Sequence, residues 1–278
     1  MDAEDPSPEN PIGVFDSGVG GLSVLREIRR ALPGEDLIYV ADSAYAPYGE
    51  RAGDEILGRA LAITQGLLEQ RAKAVVVACN TATGAAAQVL RARYSLPIVA
   101  MEPALKPAAA STRSGVVGVL ATSRTLASHK FVQLLGSHGQ GVEVLVQPCP
   151  GLVERVECGD LAGPRTRALL EGYLVPLLQR RADTIVLGCT HYPHLRPLIA
   201  AIAGPEVAIV DSGAAVARQL RRRLELAGLL RGPGVVGRER FSTSGAVSAV
   251  QPVIAQLWAA EVPVRAFAAE RFSAAVAG

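Results

Sequence analysis

Two cysteines of this sequence stand where a chemically active thiol is expected, each directly after a short apolar run. Residues 75–78 lead into Cys79 and residues 185–188 lead into Cys189. Short β-branched runs are typical of strands that are covered on both faces of a parallel sheet. The polar residues that follow, and that can cap a helix, are Asn80, Thr81 and Thr190. Because a helix N-terminus lowers a thiol pKa, the pattern predicts two acid–base thiols that serve one site.

Each cysteine alone has a simpler interpretation. A single cysteine at the end of a strand is more often a small buried side chain than a reactive group. The functional interpretation gains strength because both cysteines occupy equivalent places in a repeat. Cys149 and Cys158 lack this setting, and we interpret them as structural. Glu157, which precedes Cys158, is predicted to lie at the exposed end of a helix.

The elements that position the two cysteines occur twice along the chain. Strand and helix patterns alternate in two similar units of roughly a hundred residues each. This order predicts an α/β fold with two similar βαβα domains. Their mainly parallel sheets would face each other across a cleft, related by a pseudo-two-fold axis. Ligands of such sheets bind beyond the carboxyl ends of the strands, so the two thiols would meet in the cleft.

The predicted division of the chain has three parts. Residues 1–11 are expected to be a flexible tail. Residues 12–101 together with residues 212–278 are expected to form the first α/β domain, and residues 102–211 the second. The last segment of the chain would therefore pack back on the first half.

A carboxylate and a glycine-rich stretch follow the first predicted strand. Asp16 and Ser17 precede residues 18–21, and the aspartate could be no more than an N-cap and turn residue. The second unit keeps Thr122 opposite Ser17 but has Ala121 opposite Asp16. A carboxylate kept in only one half favours a functional role. The glycine stretch hints at a phosphate loop, but it lacks the full spacing of a dinucleotide-binding motif.

The histidines near Cys189 do not form a convincing metal site. The spacing of Cys189, His191 and His194 is loose for zinc, and no second ligand pair is evident, so we expect no metal. His191 is more plausible as a proton donor or a capping side chain, and His194 as a surface or supporting residue. Tyr48 and Gly49 on their own are typical of a simple turn.

Composition bounds the remaining possibilities. The chain has 278 residues, of which 49% are hydrophobic and 19% charged, so we expect a folded protein with a substantial core. A net charge of +2 gives no case for binding nucleic acid or a membrane. The N-terminal residues do not resemble a signal peptide, and no apolar segment is suited to cross a membrane. Four cysteines without a small secreted framework predict a reducing cytoplasm.

Together these motifs resemble the glutamate racemase family of the aspartate/glutamate racemase superfamily. The matching positions are residues 15–22, Asp42, residues 47–49, residues 78–82, Val156, Glu157, Gly159 and residues 187–193. No motif position departs from the family pattern. The resemblance implies a homodimer that interconverts L- and D-glutamate without a cofactor and supplies D-glutamate for bacterial peptidoglycan.

The resemblance also implies roles for individual residues. Cys79 and Cys189 would be the catalytic bases. Asp16 would assist the first thiol, and Glu157 and His191 would assist the second. The positions that it implies for the substrate site are Asp16, Ser17, Tyr48, Gly49, Asn80, Thr81, Thr190 and His191.

Three other functions stay open at this point. A racemase for aspartate or a hydantoin would carry the same paired thiols, although Tyr48-Gly49 and Thr190-His191 favour glutamate. A non-enzymatic two-lobed binding protein would need polar groups in the cleft but no reactive thiols, so alkylation rates would separate it. A regulatory protein that binds a macromolecule near Arg221 has no support from the residues, because arginine runs are typical of solvated helix faces.

Overall fold

A computed structural model describes residues 6–139 and 141–272. The described part of the chain forms ten strands and eleven α-helices. The strands are β1 (Ile12–Asp16), β2 (Leu37–Ala41), β3 (Ala74–Val77), β4 (Ile98–Ala100), β5 (Val116–Ala121), β6 (Glu143–Pro148), β7 (Thr184–Leu187), β8 (Ala208–Val210), β9 (Glu239–Thr243) and β10 (Val264–Ala266). The α-helices are α1 (Leu22–Ala31), α2 (Gly53–Glu69), α3 (Asn80–Arg93), α4 (Leu105–Ser111), α5 (Ser123–Ala127), α6 (His129–His138), α7 (Leu152–Glu157), α8 (Pro164–Gln179), α9 (Arg196–Ala203), α10 (Gly213–Leu226) and α11 (Val247–Trp258). Short 3₁₀ turns cover Ser43–Tyr45, Tyr48–Glu50, Tyr192–Leu195 and Ala269–Phe272.

The strands assemble into two parallel sheets. The first has the order β10-β9-β2-β1-β3-β4 and the second the order β6-β5-β7-β8. The segment β2-β1-β3-β4 repeats the whole order of the second sheet, which confirms the predicted α/β fold with two similar units. Strand β9 pairs with β2, so the end of the chain returns to the first sheet. The residue boundaries of the two domains remain a prediction.

The two cysteines lie at equivalent points of the two sheets. Strand β3 ends at Val77 and lies between β1 and β4, while β7 ends at Leu187 and lies between β5 and β8. Cys79 and Cys189 each follow two residues beyond the end of their strand. Both thiols therefore lie just beyond the carboxyl end of an inner strand, where parallel sheets bind ligands.

Burial explains the apolar runs from which the strands were predicted. Every residue of β1, β2, β3 and β7 is buried, as expected for strands with helices on both faces. One apolar cluster joins side chains of both halves, among them Val14, Leu25, Leu152, Tyr192 and Leu195. The halves therefore share a packed core next to the site. No helix in the two described ranges is both long and apolar enough to cross a membrane.

Part of the predicted N-terminal tail is held against the first half. Residues 1–5 lie outside the described residues, but the N–H of Asn10 donates to the carbonyl of Ser7 at 3.0 Å. Lys73 is fully buried, and its ammonium group donates to the carbonyl of Pro8 and pairs with Glu35. A buried ammonium group needs such acceptors, and the backbone around Pro8 supplies one of them. The backbone at Pro8 therefore contacts the first half, and the flexibility of the tail remains a prediction.

Candidate active site

Cys79 caps helix α3 with its own sulfur. Its backbone is extended, with φ −146° and ψ 122°, and its Sγ accepts a hydrogen bond from the N–H of Ala82 at 3.5 Å. The prediction that Asn80 and Thr81 cap this helix is wrong, because they are its first two residues. Only 5% of Cys79 is exposed. The thiol therefore faces an enclosed site at the start of a helix.

Burial raises the pKa of the Cys79 thiol well above its usual value, and the nearby charge of Asp16 raises this pKa further. The N–H of Ala82 acts in the opposite direction without outweighing burial. The predicted lowering of this pKa is therefore wrong, because a thiolate here would lose its hydration. The thiol keeps its proton in this arrangement, and its Sγ lies 3.8 Å from Oγ of Ser17 as a weak donor.

Cys189 does not stand at the start of an α-helix. A 3₁₀ turn over Tyr192–Leu195 follows it, and helix α9 begins only at Arg196. The predicted helix N-terminus at Thr190 is therefore wrong. A helix begun at Thr190 would carry Pro197 in its interior, where proline lacks an N–H and clashes with the preceding turn. Starting at Arg196 places Pro197 in the first turn, where proline is tolerated.

His191 connects Cys189 to a carboxylate. Its Nδ1 lies 3.7 Å from Sγ of Cys189, and its Nε2 lies 2.6 Å from Oε1 of Glu157. Burial alone would lower the pKa of His191, but the hydrogen bonds to Cys189 and Glu157 outweigh burial and raise this pKa well above its usual range. A protonated imidazole stabilises negative charge on a neighbouring sulfur. The second thiol therefore has a different electrostatic environment from the first.

Glu157 faces the site from the end of helix α7. Its side chain is 17% exposed, and its Oε1 accepts a hydrogen bond from the N–H of Val19 at 2.7 Å as well as contacting His191. The predicted exposed helix end is wrong for this side chain, whereas Cys158 beside it is exposed. Glu157 thus links the loop after β1 to the histidine beside Cys189.

Asp16 joins the two halves from the first strand. Its carboxylate is fully buried and accepts hydrogen bonds from the N–H groups of Ser17 and Gly21, both at 2.7 Å, and from Oγ1 of Thr190 at 3.1 Å. Burial raises the pKa of Asp16, although His191 and a hydrogen bond with Cys79 act against this shift. Thr190, predicted as a cap, instead donates across the halves. Asp16 therefore positions the loop and contacts the Cys79 thiol.

The glycines of residues 18–21 allow this loop to pack against the second half. A Cβ at Gly18 would lie 1.9 Å from Oε1 of Glu157, and a Cβ at Gly20 would lie 2.3 Å from Nδ1 of His191. The carbonyl of Gly18 also accepts a hydrogen bond from the hydroxyl of Tyr39 at 2.6 Å. These close contacts account for the glycine pattern without a phosphate ligand.

We predict that Gly20→Ala lowers turnover by about 10²-fold, because the added Cβ would displace the buried ring of His191 from Cys189. The measurement is kcat, in the reaction that the motif resemblance implies, of a variant that still unfolds cooperatively. Gly172→Ala is the matched control, since Gly172 lies in helix α8 and a Cβ there meets nothing within 4 Å. Equal turnover of the two variants would contradict the claim that turnover depends on where the His191 ring lies relative to Cys189.

Asn80 carries an unused amide in the site. The residue is 7% exposed, and neither its Nδ2 nor its Oδ1 has a hydrogen-bond partner among the described residues. Burying a polar amide without partners is unfavourable, so the group is available for a ligand. Thr81 next to it forms a hydroxyl cluster with Thr122 and Thr125 of the second half, with oxygens 2.9 to 3.1 Å apart.

Tyr48 is held by a buried ion pair that the sequence did not reveal. Its hydroxyl donates to Oδ2 of Asp42 at 2.5 Å, and Arg59 contacts both oxygens of Asp42 at 2.9 and 2.6 Å. Burial, followed by the charge of Asp42, raises the pKa of Tyr48 well above its usual value. The neighbouring Gly49 faces Thr122 of the second half. A Cβ added at Gly49 would lie 3.0 Å from the Cβ of Thr122.

The remaining predicted group, His194, lies behind the glycine loop. Its Nε2 is 3.1 Å from the carbonyl of Gly20, and burial lowers its pKa to about 4. A neutral ring that donates to a carbonyl is a supporting group, in agreement with its sequence interpretation. In the part of the chain that the structure describes, no cluster of three His, Cys, Asp or Glu side chains has the geometry to hold a metal ion.

Residues 12–220 match the Asp/Glu/Hydantoin racemase family, and the chain belongs to this family. The resemblance drawn from the motifs is confirmed. Glutamate racemase from Pseudomonas aeruginosa is 57% identical over 248 residues, which cover 89% of this chain and 93% of that protein. Glutamate racemase from Methylococcus capsulatus is 57% identical over 250 residues, which cover 90% and 92% of the two chains.

Solved structures give the same assignment of the fold. A glutamate racemase isoform from Bacillus anthracis superposes with a TM-score of 0.85 at 32% identity, over 94% of this chain and 98% of that one. Glutamate racemase from Francisella tularensis in complex with D-glutamate superposes with a TM-score of 0.81 at 27% identity, over 95% of this chain and 100% of that one.

Proposed function

We propose that this chain is a cofactor-independent glutamate racemase, in which Cys79 and Cys189 exchange a proton with opposite faces of the substrate Cα. The observation that carries the proposal is the equivalent position of two buried thiols at the ends of inner strands. Inversion requires removal of a proton from one face and addition of a proton to the other. Two acid–base groups on opposite sides of the substrate do this with little motion.

The two thiols begin each turnover in different protonation states. Cys79 keeps its proton because burial and Asp16 raise its pKa, so it donates first in this arrangement. Because racemisation needs one thiol and one thiolate, Cys189 takes the thiolate role in the proposed mechanism, next to His191, which Glu157 holds in place. The Cys189 thiolate removes the Cα proton and becomes a thiol, while Cys79 gives its proton to the other face and becomes a thiolate. The opposite reaction starts from that second state.

The carbanion formed at Cα needs fixed hydrogen-bond donors, since no cofactor delocalises its charge. The side-chain amide of Asn80, which has no partner among the described residues, and the N–H groups at the start of helix α3 would supply these donors. Ser17, Thr81, Tyr48 and Gly49 complete the substrate contacts on the first half, and Thr190 and His191 those on the second. Asp16 assists Cys79 as a buried carboxylate whose charge acts on the thiol.

Glutamate is the preferred substrate over aspartate or a hydantoin. Curated relatives from Pseudomonas aeruginosa and Pseudomonas paraeruginosa, 57% and 55% identical, are glutamate racemases, and the structure from Francisella tularensis contains D-glutamate. A panel of the L-isomers of glutamate and aspartate together with a substituted hydantoin tests this preference. Faster racemisation of aspartate or the hydantoin would favour the alternative substrate class.

The cellular role follows from the proposed reaction. We propose a cytoplasmic homodimer that supplies D-glutamate for peptidoglycan and uses no membrane, nucleic acid, metal or cofactor. Four cysteines without a secreted framework and a net charge of +2 are consistent with this setting.

We predict that purified protein with L-glutamate and no additive produces D-glutamate, which circular dichroism follows directly. Activity should survive dialysis against a metal chelator and treatment with a carbonyl-trapping reagent, because the chemistry needs only the two thiols and their neighbours. Loss of activity that zinc or pyridoxal phosphate restores would overturn the mechanism. A protein that binds glutamate without racemising it would instead be a binding protein.

A further inference from the structure

A cavity of about 450 Å³ opens between the two halves, next to the proposed substrate site. Gly49 and Thr81 form part of its wall, and both belong to the substrate contacts proposed above. The second half contributes Arg124 and His129. None of the residues that line the cavity carries a carboxylate. The cavity therefore has the composition of a small site for an anion at the mouth of the cleft.

Arg124 is the charged side chain that defines this cavity. Its Nε is buried and has no hydrogen-bond partner among residues 6–139 and 141–272, and no carboxylate in these ranges forms an ion pair with it. Other arginines of the site region are paired, such as Arg59 with Asp42. Because a buried donor without a partner is unfavourable, the Nε–H of Arg124, which has no partner within the described ranges, requires an explanation.

The position of the guanidinium places it between the halves. Arg124 lies in helix α5 of the second half, yet its Nη1 would be only 3.8 Å from a Cβ at Gly53, the first residue of helix α2. Gly53 presents no side chain there, so the charged group reaches over the cavity toward the first half. A cation in a cavity whose own lining holds no carboxylate focuses a positive potential on that opening, although Glu50 and Glu154 line the adjoining cavity.

We propose that Arg124 binds a carboxylate of glutamate in this cavity as the amino acid passes into the enclosed site. The inference rests on the proposed function and adds an entry subsite to it. Glutamate carries two carboxylates, and a guanidinium binds a carboxylate through two parallel hydrogen bonds. Because Gly49 and Thr81 line both the cavity and the substrate site, the amino acid moves directly from one to the other. Arg124 acts on capture and does not take part in proton transfer.

The test compares kcat and kcat/KM for L-glutamate over a range of ionic strengths. At low ionic strength, Arg124→Gln should lower kcat/KM by about tenfold and change kcat by less than about twofold, since one steering charge is lost. The dependence of kcat/KM on salt should become shallower, and Arg124→Lys should recover most of the loss. Arg113→Gln removes an equal charge from the same half, where Arg113 is 72% exposed and paired with Glu206, and should follow the wild type.

Two results would overturn the entry subsite. One is an Arg124→Gln variant whose kcat/KM and salt dependence match those of Arg113→Gln. The other is a parallel fall of kcat and kcat/KM with a lowered melting temperature, which would make Arg124 a structural residue. Failure of the proposed function is distinguishable, because it would appear as a wild type that does not racemise glutamate at any ionic strength.

Discussion

Serine in place of either Cys79 or Cys189 is expected to lower glutamate turnover by about 10⁴-fold, the upper end of what a positioned proton-transfer group contributes. A serine hydroxyl is a far weaker acid than a thiol, so it can neither release nor accept the Cα proton at neutral pH. Serine is nearly isosteric with cysteine, and we expect the fold to survive, with a small cost for burying a hydroxyl. The measurements are kcat in both directions and the melting temperature of each variant.

Cys158→Ser is the control for these two variants. Cys158 is exposed, whereas Cys79 and Cys189 are buried, so its replacement should leave turnover unchanged. A folded Cys79→Ser or Cys189→Ser variant with turnover within tenfold of the wild type would rule out the thiol pair as the acid–base groups. Loss of activity in only one of the two variants would equally contradict a mechanism that uses both faces.

His191→Asn is expected to lower kcat by about 10³-fold while KM changes by much less. Without the imidazolium, the thiolate of Cys189 loses the charge 3.7 Å from its sulfur, and Glu157 loses its partner at 2.6 Å. The step at Cys189 should then limit the rate. The isotope effect of Cα-deuterated glutamate should therefore be larger in the direction in which Cys189 removes the proton.

The pH dependence of stability supplies a second measurement on His191. Its pKa in the folded protein lies well above the unfolded value of about 6.5. The stabilisation is therefore complete below about pH 6.5 and is lost as the pH rises through the folded pKa. The free energy of unfolding of the wild type should exceed that of His191→Asn most at acidic pH. His138→Asn, at the end of helix α6, is the control that should alter neither turnover nor this difference.

The fold and the thiol pair were predictable because the strand pattern and the cysteine that follows it occur twice in the sequence. Strands buried on both faces require continuous apolar runs, so residues 75–78 and 185–188 predict inner strands of parallel sheets. Equivalent strands place their carboxyl ends at equivalent points of the two sheets. The equivalent positions of Cys79 and Cys189 follow from that symmetry. The asymmetric carboxylate Asp16 was predictable for the same reason, as a departure from the repeat.

The residue pattern alone did not predict the contacts around the thiols, because these contacts join distant segments of the chain. Glu157 appeared to be an exposed helix end until its contacts with His191 and Val19 were known. The predicted lowering of the Cys79 pKa was wrong because a motif indicates a helix N-terminus but not how deeply the thiol is buried. Nothing in the sequence marked Arg59 as part of the site, since its partner Asp42 follows strand β2 and is 17 residues away.

The central claim of two thiols on two faces is tested most directly by racemisation in heavy water from pure L-glutamate. With two bases, Cys79 and Cys189 exchange with solvent separately, so the first D-glutamate formed should carry deuterium at Cα. The L-glutamate that remains should stay protiated at early times, because its own thiol returns the hydrogen it removed. Early D-glutamate that keeps the substrate hydrogen, or L-glutamate that gains deuterium as fast as D-glutamate forms, would contradict the two-thiol mechanism.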